Sequence, residues 1–286
     1  MKIFLAKDAG YCFGVRDAVN LAYESAEKYG DVYMLGDIVH NENVIKDLNQ
    51  AGAKVVSSLD EVPDGKPILF RAHGTSIETW SDADKNNMNI IDATCPLVKE
   101  IYEEVVKFAK EGRKIIIIGD HGHDEVVGIS SQVDNTIIVS NTDEAMKLRK
   151  MKRVGVVTQS TQTIENVQAI INILMTKVFD LRFVNTICFP TKRNQNQIKE
   201  LSKECDVMIV IGSFTSANSK RLTLLAQEIN KKTFQVTCAE EIKPKWFDGA
   251  NSVGLSAGAS TPDSIINEVL KRLKSINKNS KEMIYG

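Results

Sequence analysis

The sequence predicts an α/β protein built from three similar small α/β domains with mainly parallel sheets, and three observations carry that expectation. The first is a junction that recurs at Tyr11-Cys12-Phe13-Gly14-Val15-Arg16, Ile90-Ile91-Asp92-Ala93-Thr94-Cys95-Pro96-Leu97-Val98-Lys99 and Ile187-Cys188-Phe189-Pro190-Thr191-Lys192. At each, a helix-like pattern begins directly after a cysteine, and a basic residue stands four positions beyond it. The second is a glycine 24 positions after each cysteine, at Gly36, Gly119 and Gly212, each closing an apolar run. The third is the alternation of strand-like and helix-like stretches between these landmarks, which implies parallel strands joined by helical crossovers. The cysteines recur at intervals of 83 and 93 residues, too long for a solenoid repeat and suited to small domains. The expected units are 1–94, 95–187 and 188–286, with the first strand free to pack in the third unit. Each unit is expected to bring one cysteine, Cys12, Cys95 or Cys188, to a shared centre.

In the first unit a strand over 2–6 leads through Gly10 to a helix over 13–29, where Val15, Val19, Ala22 and Ala26 recur at helical spacing. Strands over 32–35, 54–56 and 67–71, a helix over 42–50, a further short helix and a strand over 90–92 follow. The second unit opens with a helix over 96–111 that starts on Pro96, a favoured place because its missing N–H would have no helical partner. Strands are expected over 114–118, 136–139, 153–157 and 182–186, with a helix over 164–176 and the stretch from Gly119 to Glu125 as a loop. The third unit has helices over 191–203, 220–230 and 263–273 and strands over 207–211, 233–236 and 252–255. The tail after Lys274 is polar and expected to fray.

The chain has 286 residues, with 36 Lys and Arg against 37 Asp and Glu, for a formal net charge of -1. That balance leaves no electrostatic footprint for nucleic acid and no basic patch for a membrane surface. The apolar run at the N-terminus is too short for a signal peptide and no run reaches the length of a membrane span, so a cytoplasmic protein is expected. No long apolar helix face asks for a partner, and a monomer is expected. Five cysteines, an odd number, argue against a disulfide framework. Cys205 and Cys238 fall outside the repeat and are expected to be ordinary packing residues.

In parallel α/β sheets, ligands collect beyond the C-terminal ends of strands, where helix N-termini also point. All four histidines, His40, His73, His121 and His123, stand in such loops, with Glu125, Ser160, Thr161, Ser216, Asn218, Ser219 and Ser260. Three cysteines from three domains suit either zinc with an open position or an iron–sulfur cluster with one iron lacking a protein ligand. Spacing alone does not choose between them. His123 and Glu125 can form a proton-delivery pair. The His-x-Glu opening of the zinc deaminases is present, but their downstream Pro-Cys-x-x-Cys is not, and that reading falls. No Gly-Lys-Ser/Thr phosphate loop and no Gly-x-Gly-x-x-Gly turn occurs, so the hydroxyl-rich loops at 213–219 and 258–261 suit a small phosphorylated ligand better than ATP or NAD.

Eight blocks in order carry a further resemblance. They are Gly10-Tyr11-Cys12-Phe13-Gly14-Val15, Val39-His40-Asn41, Ala72-His73-Gly74, Asp92-Ala93-Thr94-Cys95-Pro96, Gly122-His123-Asp124-Glu125-Val126, Thr186-Ile187-Cys188, Ser216-Ala217-Asn218-Ser219 and Ala257-Gly258-Ala259-Ser260. Over nearly the whole chain the sequence resembles the LytB-type iron–sulfur reductases, which act on 4-hydroxy-3-methylbut-2-enyl diphosphate in the methylerythritol phosphate route to isoprenoids. The resemblance implies a pseudo-threefold trefoil of α/β domains around a central cavity. It implies a [4Fe-4S] cluster held by Cys12, Cys95 and Cys188 with one open iron site, and ferredoxin or flavodoxin as electron donor. It also implies Glu125 as proton source with His123 and Thr161 at the hydroxyl end of the substrate. His40, His73, Ser216, Asn218 and Ser260 are implied as the diphosphate ligands. The chain departs from that pattern at Asp124, where proline is usual, and at Ala217, which replaces a hydroxyl residue. Ser160-Thr161 stands where two threonines are common.

Overall fold

The computed structural model describes residues 1–276 and 283–285. From the N-terminus the chain forms β1 (Lys2–Leu5), α1 (Phe13–Tyr29), β2 (Val32–Leu35), α2 (Glu42–Gln50), β3 (Ala53–Val56), β4 (Pro67–Phe70), α3 (Ile77–Lys85) and β5 (Asn89–Asp92). It continues as α4 (Pro96–Lys110), β6 (Lys114–Ile118), α5 (Asp124–Ser130), β7 (Ile137–Val139), α6 (Thr142–Lys147), β8 (Met151–Thr158), α7 (Ile164–Met175) and β9 (Val178–Phe183). The last third holds α8 (Phe189–Glu204), β10 (Val207–Ile211), α9 (Ala217–Ile229), β11 (Thr233–Val236), β12 (Ser252–Ala257), α10 (Asp263–Ile276) and β13 (Met283–Tyr285).

The strands make three sheets, in the orders β3-β2-β4-β5, β7-β6-β8-β9 and β11-β10-β12-β1-β13, and every pairing is parallel. The expected α/β class with three parallel sheets is what the chain forms. The central strands β6 and β10 read as unbroken apolar runs because helices cover both faces, and Ile115–Ile118 and Val207–Ile211 are buried throughout. On α4, Val98, Ile101, Val105 and Phe108 recur on one stripe and are the buried positions. Burying each such side chain is worth about 1.5–3 kcal/mol, so register is set by the core.

The sheets share more than strand order. Cys95 follows β5 and Cys188 follows β9, the fourth strand of each of the first two sheets. In the third sheet that fourth place belongs to β1, the strand that leads to Cys12. Each cysteine N–H then donates to the loop after the neighbouring strand: Cys95 to Ala72 O at 3.0 Å, Cys188 to Ser160 O at 3.0 Å and Cys12 to Ala259 O at 3.3 Å. The recurring junction in the sequence is therefore one hydrogen-bonded corner made three times.

By contact density the residues group into two compact units, one of Met1–Val15, His40–Val44 and Phe189–Gly286, the other of Arg16–Val39 and Ile45–Cys188. The first contains the five-stranded sheet and the second contains both four-stranded sheets.

Four local expectations need correction. The helix α5 starts at Asp124, inside the stretch expected as a loop to Glu125, and runs on to Ser130, where no element is expected because its valines and Gly128 are poor helix formers. The six-residue α6 is too short to show a period. β9 lies at Val178–Phe183 rather than 182–186, because Asp180 sits within the strand, held by Arg113 and Arg153, and makes an edge strand look like a connection. Finally, α10 runs to Ile276 and Met283–Tyr285 pairs with β1, so part of the tail expected to fray is strand; 277–282 and 286 lie outside the described residues.

Candidate active site

In the unit containing Cys95 and Cys188, a path of contacts joins the two cysteines. Cys95 N–H is bound to Ala72, and the neighbouring His73 ring meets His123 edge to face, with centroids 5.8 Å apart. His123 is the N-cap of α5, where its Nδ1 accepts from the Glu125 N–H at 3.2 Å. An accepting Nδ1 leaves the ring proton on Nε2, so this tautomer is a donor on its other side. Glu125 is 2% exposed, and its carboxylate accepts from the Ser160 N–H and, at 2.8 Å, from the Ser160 hydroxyl. The carbonyl of Ser160 closes the path by accepting from Cys188 N–H. Next to it, Thr161 Oγ1 accepts from Gln159 Nε2 at 3.1 Å, so its own hydroxyl proton points to another acceptor.

Asp92, three positions before Cys95 on the same corner, explains one of the three recurring basic residues. Burial raises the Asp92 carboxyl, but bonds from Lys99, at 2.7 Å, and from Thr94 outweigh it and hold the group below its ordinary range. Asp124, the departure from the family pattern, pairs with Arg71. His121 is more than half exposed and pairs with Glu144 at 2.9 Å, so it takes no place on the path.

In the other unit the loop after β12 is the hub. Ala259 accepts from Cys12 N–H, and Ser260 Oγ donates to the His40 carbonyl at 3.0 Å. Ser216 is the N-cap of α9, accepting from Ser219 N–H at 3.3 Å. A Cβ added at Gly212 or Gly258 would overlap Ser219 Oγ, so glycine at both places lets α9 start hard against the loop. Asn218 is 6% exposed, yet neither its Oδ1 nor its Nδ2 has a hydrogen-bond partner. A buried amide left empty on both atoms is costly unless a ligand completes it.

The five cysteines differ in setting. Cys12, Cys95 and Cys188 are half-buried at loop ends, and Cys95 caps α4 without using its side chain. Cys205 is packed in the core of the third sheet, and burial pushes its thiol up to about 11. Cys238 is half-buried beside a 3-10 turn at Ala239–Glu241. Soft sulfur donors at three equivalent corners, each at the start of a helix, fit an iron–sulfur group.

Sequence reasoning missed Gln159 and Asn194. Gln159 Oε1 accepts from Asp120 N–H at 3.0 Å while its amide holds Thr161. Asn194 Nδ2 donates to Ala257 O at 3.0 Å and its Oδ1 accepts from Ser256 Oγ at 3.1 Å. The available signal was an amide-rich helix whose inward positions, Thr191, Asn194 and Gln195, are buried although polar.

Known proteins share both the sequence and the fold of this chain. The family model described as "LytB protein" matches residues 3–274. A protein of Geotalea uraniireducens named 4-hydroxy-3-methylbut-2-enyl diphosphate reductase is 40% identical over 280 residues, 98% of this chain and 99% of that one. One of the same name from Geobacter metallireducens is 41% identical over 278 residues, covering 97% and 98%. Among solved structures, the E-1-hydroxy-2-methyl-but-2-enyl-4-diphosphate reductase of Plasmodium falciparum superposes with a TM-score of 0.91 at 31% identity, over 95% of this chain and 87% of that one. A second structure, an (E)-4-hydroxy-3-methyl-but-2-enyl diphosphate reductase described as the terminal enzyme of the non-mevalonate pathway, gives 0.70 at 37% identity over 96% and 99%. Matched over nearly its full length, the chain belongs to the LytB protein family.

Proposed function

We propose that this chain is a 4-hydroxy-3-methylbut-2-enyl diphosphate reductase, supported above all by the path of contacts from Cys95 through His123, Glu125 and Ser160 to Cys188. The reaction takes one allylic alcohol diphosphate, two electrons and two protons to water and either isopentenyl or dimethylallyl diphosphate. Cys12, Cys95 and Cys188, one from each of the expected sequence segments 1–94, 95–187 and 188–286, would hold a [4Fe-4S] cluster with one iron lacking a protein ligand. When bound, that cluster supplies the electrons and a Lewis acid for the departing hydroxyl.

The protein's own groups bind, orient and deliver protons. Glu125 is the proton source, and its anchoring on Ser160 fixes where the carboxyl points. His123 donates from Nε2 and Thr161 from its hydroxyl, both toward the hydroxyl end of the substrate. At the other end the empty amide of Asn218, with Ser216, Ser260, His40 and His73, takes the diphosphate. Hydrogen bonds in such a buried setting are stronger than in water, which favours tight positioning of the charged group. Reduced ferredoxin or flavodoxin is the electron donor, and the enzyme acts as a cytoplasmic monomer; among the described residues no helix is long and apolar enough to cross a membrane.

The test is spectroscopic and catalytic together. Anaerobically prepared protein is expected to be brown, with about four irons and four sulfides per chain. It is expected to oxidise a reduced one-electron dye only when the allylic diphosphate is added. Colourless protein with stoichiometric zinc, or cluster-bearing protein that leaves the dye reduced, rejects the proposal.

A further inference from the structure

The helix that carries Glu125 is registered against the loop that carries His73 at several points along its length. Arg71 pairs with Asp124 at the start of α5. The His73 and His123 rings meet edge to face. Gly128, in the middle of α5, faces Gly74, and at the far end Ile77 N–H donates to Ser131 Oγ at 3.1 Å. Loop and helix thus run side by side.

Tyr102 sits at the centre of this seam. It rises from α4, the helix capped by Cys95, and a Cβ on either Gly74 or Gly128 would overlap its hydroxyl. Gly74 has φ +86, so it is glycine for its backbone as well; Gly128 lies within a helix, where alanine would ordinarily be preferred. Its glycine is explained by Tyr102: an added Cβ would overlap the oxygen, would press on Cζ at 3.3 Å, a contact that needs a shift of a few tenths of an ångström, and would meet Gly74 C at an ordinary 3.7 Å. The hydroxyl itself is buried and has no hydrogen-bond partner. Stability alone does not explain it, because phenylalanine would fill the ring site without an unsatisfied oxygen. Nor is it a base: burial raises the phenol, and the Glu125 and Asp92 charges push it the same way.

We propose that Tyr102 is a positioning residue for Glu125, its hydroxyl acting as the spacer that sets α5 against the loop carrying His73. This rests on the reading of Glu125 as the proton source. The spacer makes a sharp genetic demand. Tyr102→Phe leaves a gap of one oxygen atom between two glycines, and Gly128→Ala puts a methyl where that oxygen stands. Each change alone displaces α5, whereas together the methyl occupies the space the oxygen has left.

The experiment compares the holoenzyme with Tyr102→Phe, Gly128→Ala and the double variant, measuring kcat, KM, cluster content and amide exchange over 124–131. Each single variant is expected to lose about fivefold or more in kcat with KM changed less than about twofold and iron content unchanged. Gly128→Ala is expected to speed exchange in α5, and the double variant to recover both exchange and most of kcat. Single variants that keep wild-type kcat, or a double variant no better than Gly128→Ala, overturn the spacer role. The exchange measurement separates the two readings: wild type without reductase turnover rejects the proposed function, while restored exchange in the double variant still supports the packing of Tyr102 and unrestored exchange removes it.

Discussion

Glu125 depends on a residue 35 positions away, because both of its carboxylate oxygens accept from Ser160. That arrangement makes Glu125→Gln a clean probe. The glutamine carbonyl still accepts from the Ser160 N–H, and the Ser160 hydroxyl can turn to accept from the new amide, so the corner is kept while the titratable proton is lost. Turnover is expected to fall by about 10²–10⁴-fold, the usual range for a lost general acid, with iron and sulfide content unchanged. A variant with wild-type turnover would remove Glu125 from the proton path. The candidate itself was readable from the sequence, since His123, Asp124 and Glu125 cluster after a strand. Its anchor was not, because nothing in the order of residues says which hydroxyl meets a carboxylate across two strand ends. The same holds for Gln159, which reads as one more polar loop residue until its two hydrogen bonds to Asp120 and Thr161 are seen.

Long helices and buried strands announce themselves, as α1 and β10 do, because 3.6-residue spacing or a run of branched apolar residues needs only local sequence. The short helix α6 shows what local reading lacks. It has six residues and owes its existence to caps: Asn141 accepts from the Glu144 N–H at 3.0 Å, and Glu144 reaches back to Ser140 N–H at 2.8 Å. The bond from Ser140 N–H, with the His121 ring and the Ser140 hydroxyl, lowers the Glu144 carboxyl from an ordinary 4.5 to about 2. A carboxyl lowered in the folded state stabilises it fully above the unfolded value, and that contribution is lost as pH falls from 4.5 toward about 2. Because the side chain is partly exposed, the worth is about 1 kcal/mol at most. Glu144→Gln is therefore expected to cost up to about 1 kcal/mol at pH 7, and the gap between variant and wild type is expected to narrow below pH 4.5. Denaturant titrations at several pH values measure it, and a gap that stays constant down to the lowest workable pH would assign α6 to some other cause.

At the scale of the molecule, the three-fold repetition was legible because each corner is local: strand end, cysteine, helix start. The repeat alone does not say which sheet each corner completes, although the first strand is expected to be free to pack in the third unit. β1 pairs with β12 on one side and β13 on the other, so the first strand of the chain finishes a sheet otherwise made from its last third. Closing the long loop between the chain ends costs entropy that the packing of β1 must offset. The corner of Cys12, unlike the other two, therefore depends on residues from Ser252 onward. Ile3 is the tie, 1% exposed and packed in the same core as Val207, Ile209, Val253 and Val269. Truncating a buried isoleucine to alanine costs about 2–5 kcal/mol. Because the loss falls on one sheet, Ile3→Ala is expected to speed amide exchange in β12 and β10 by tenfold or more while leaving β6, which sits in a different sheet, close to wild type. It is also expected to lower retention of iron, because Cys12 N–H is bound to the loop that β12 presents. If β6 loosens as much as β12, stability is shared across all three sheets, and the third sheet does not open as a separate unit.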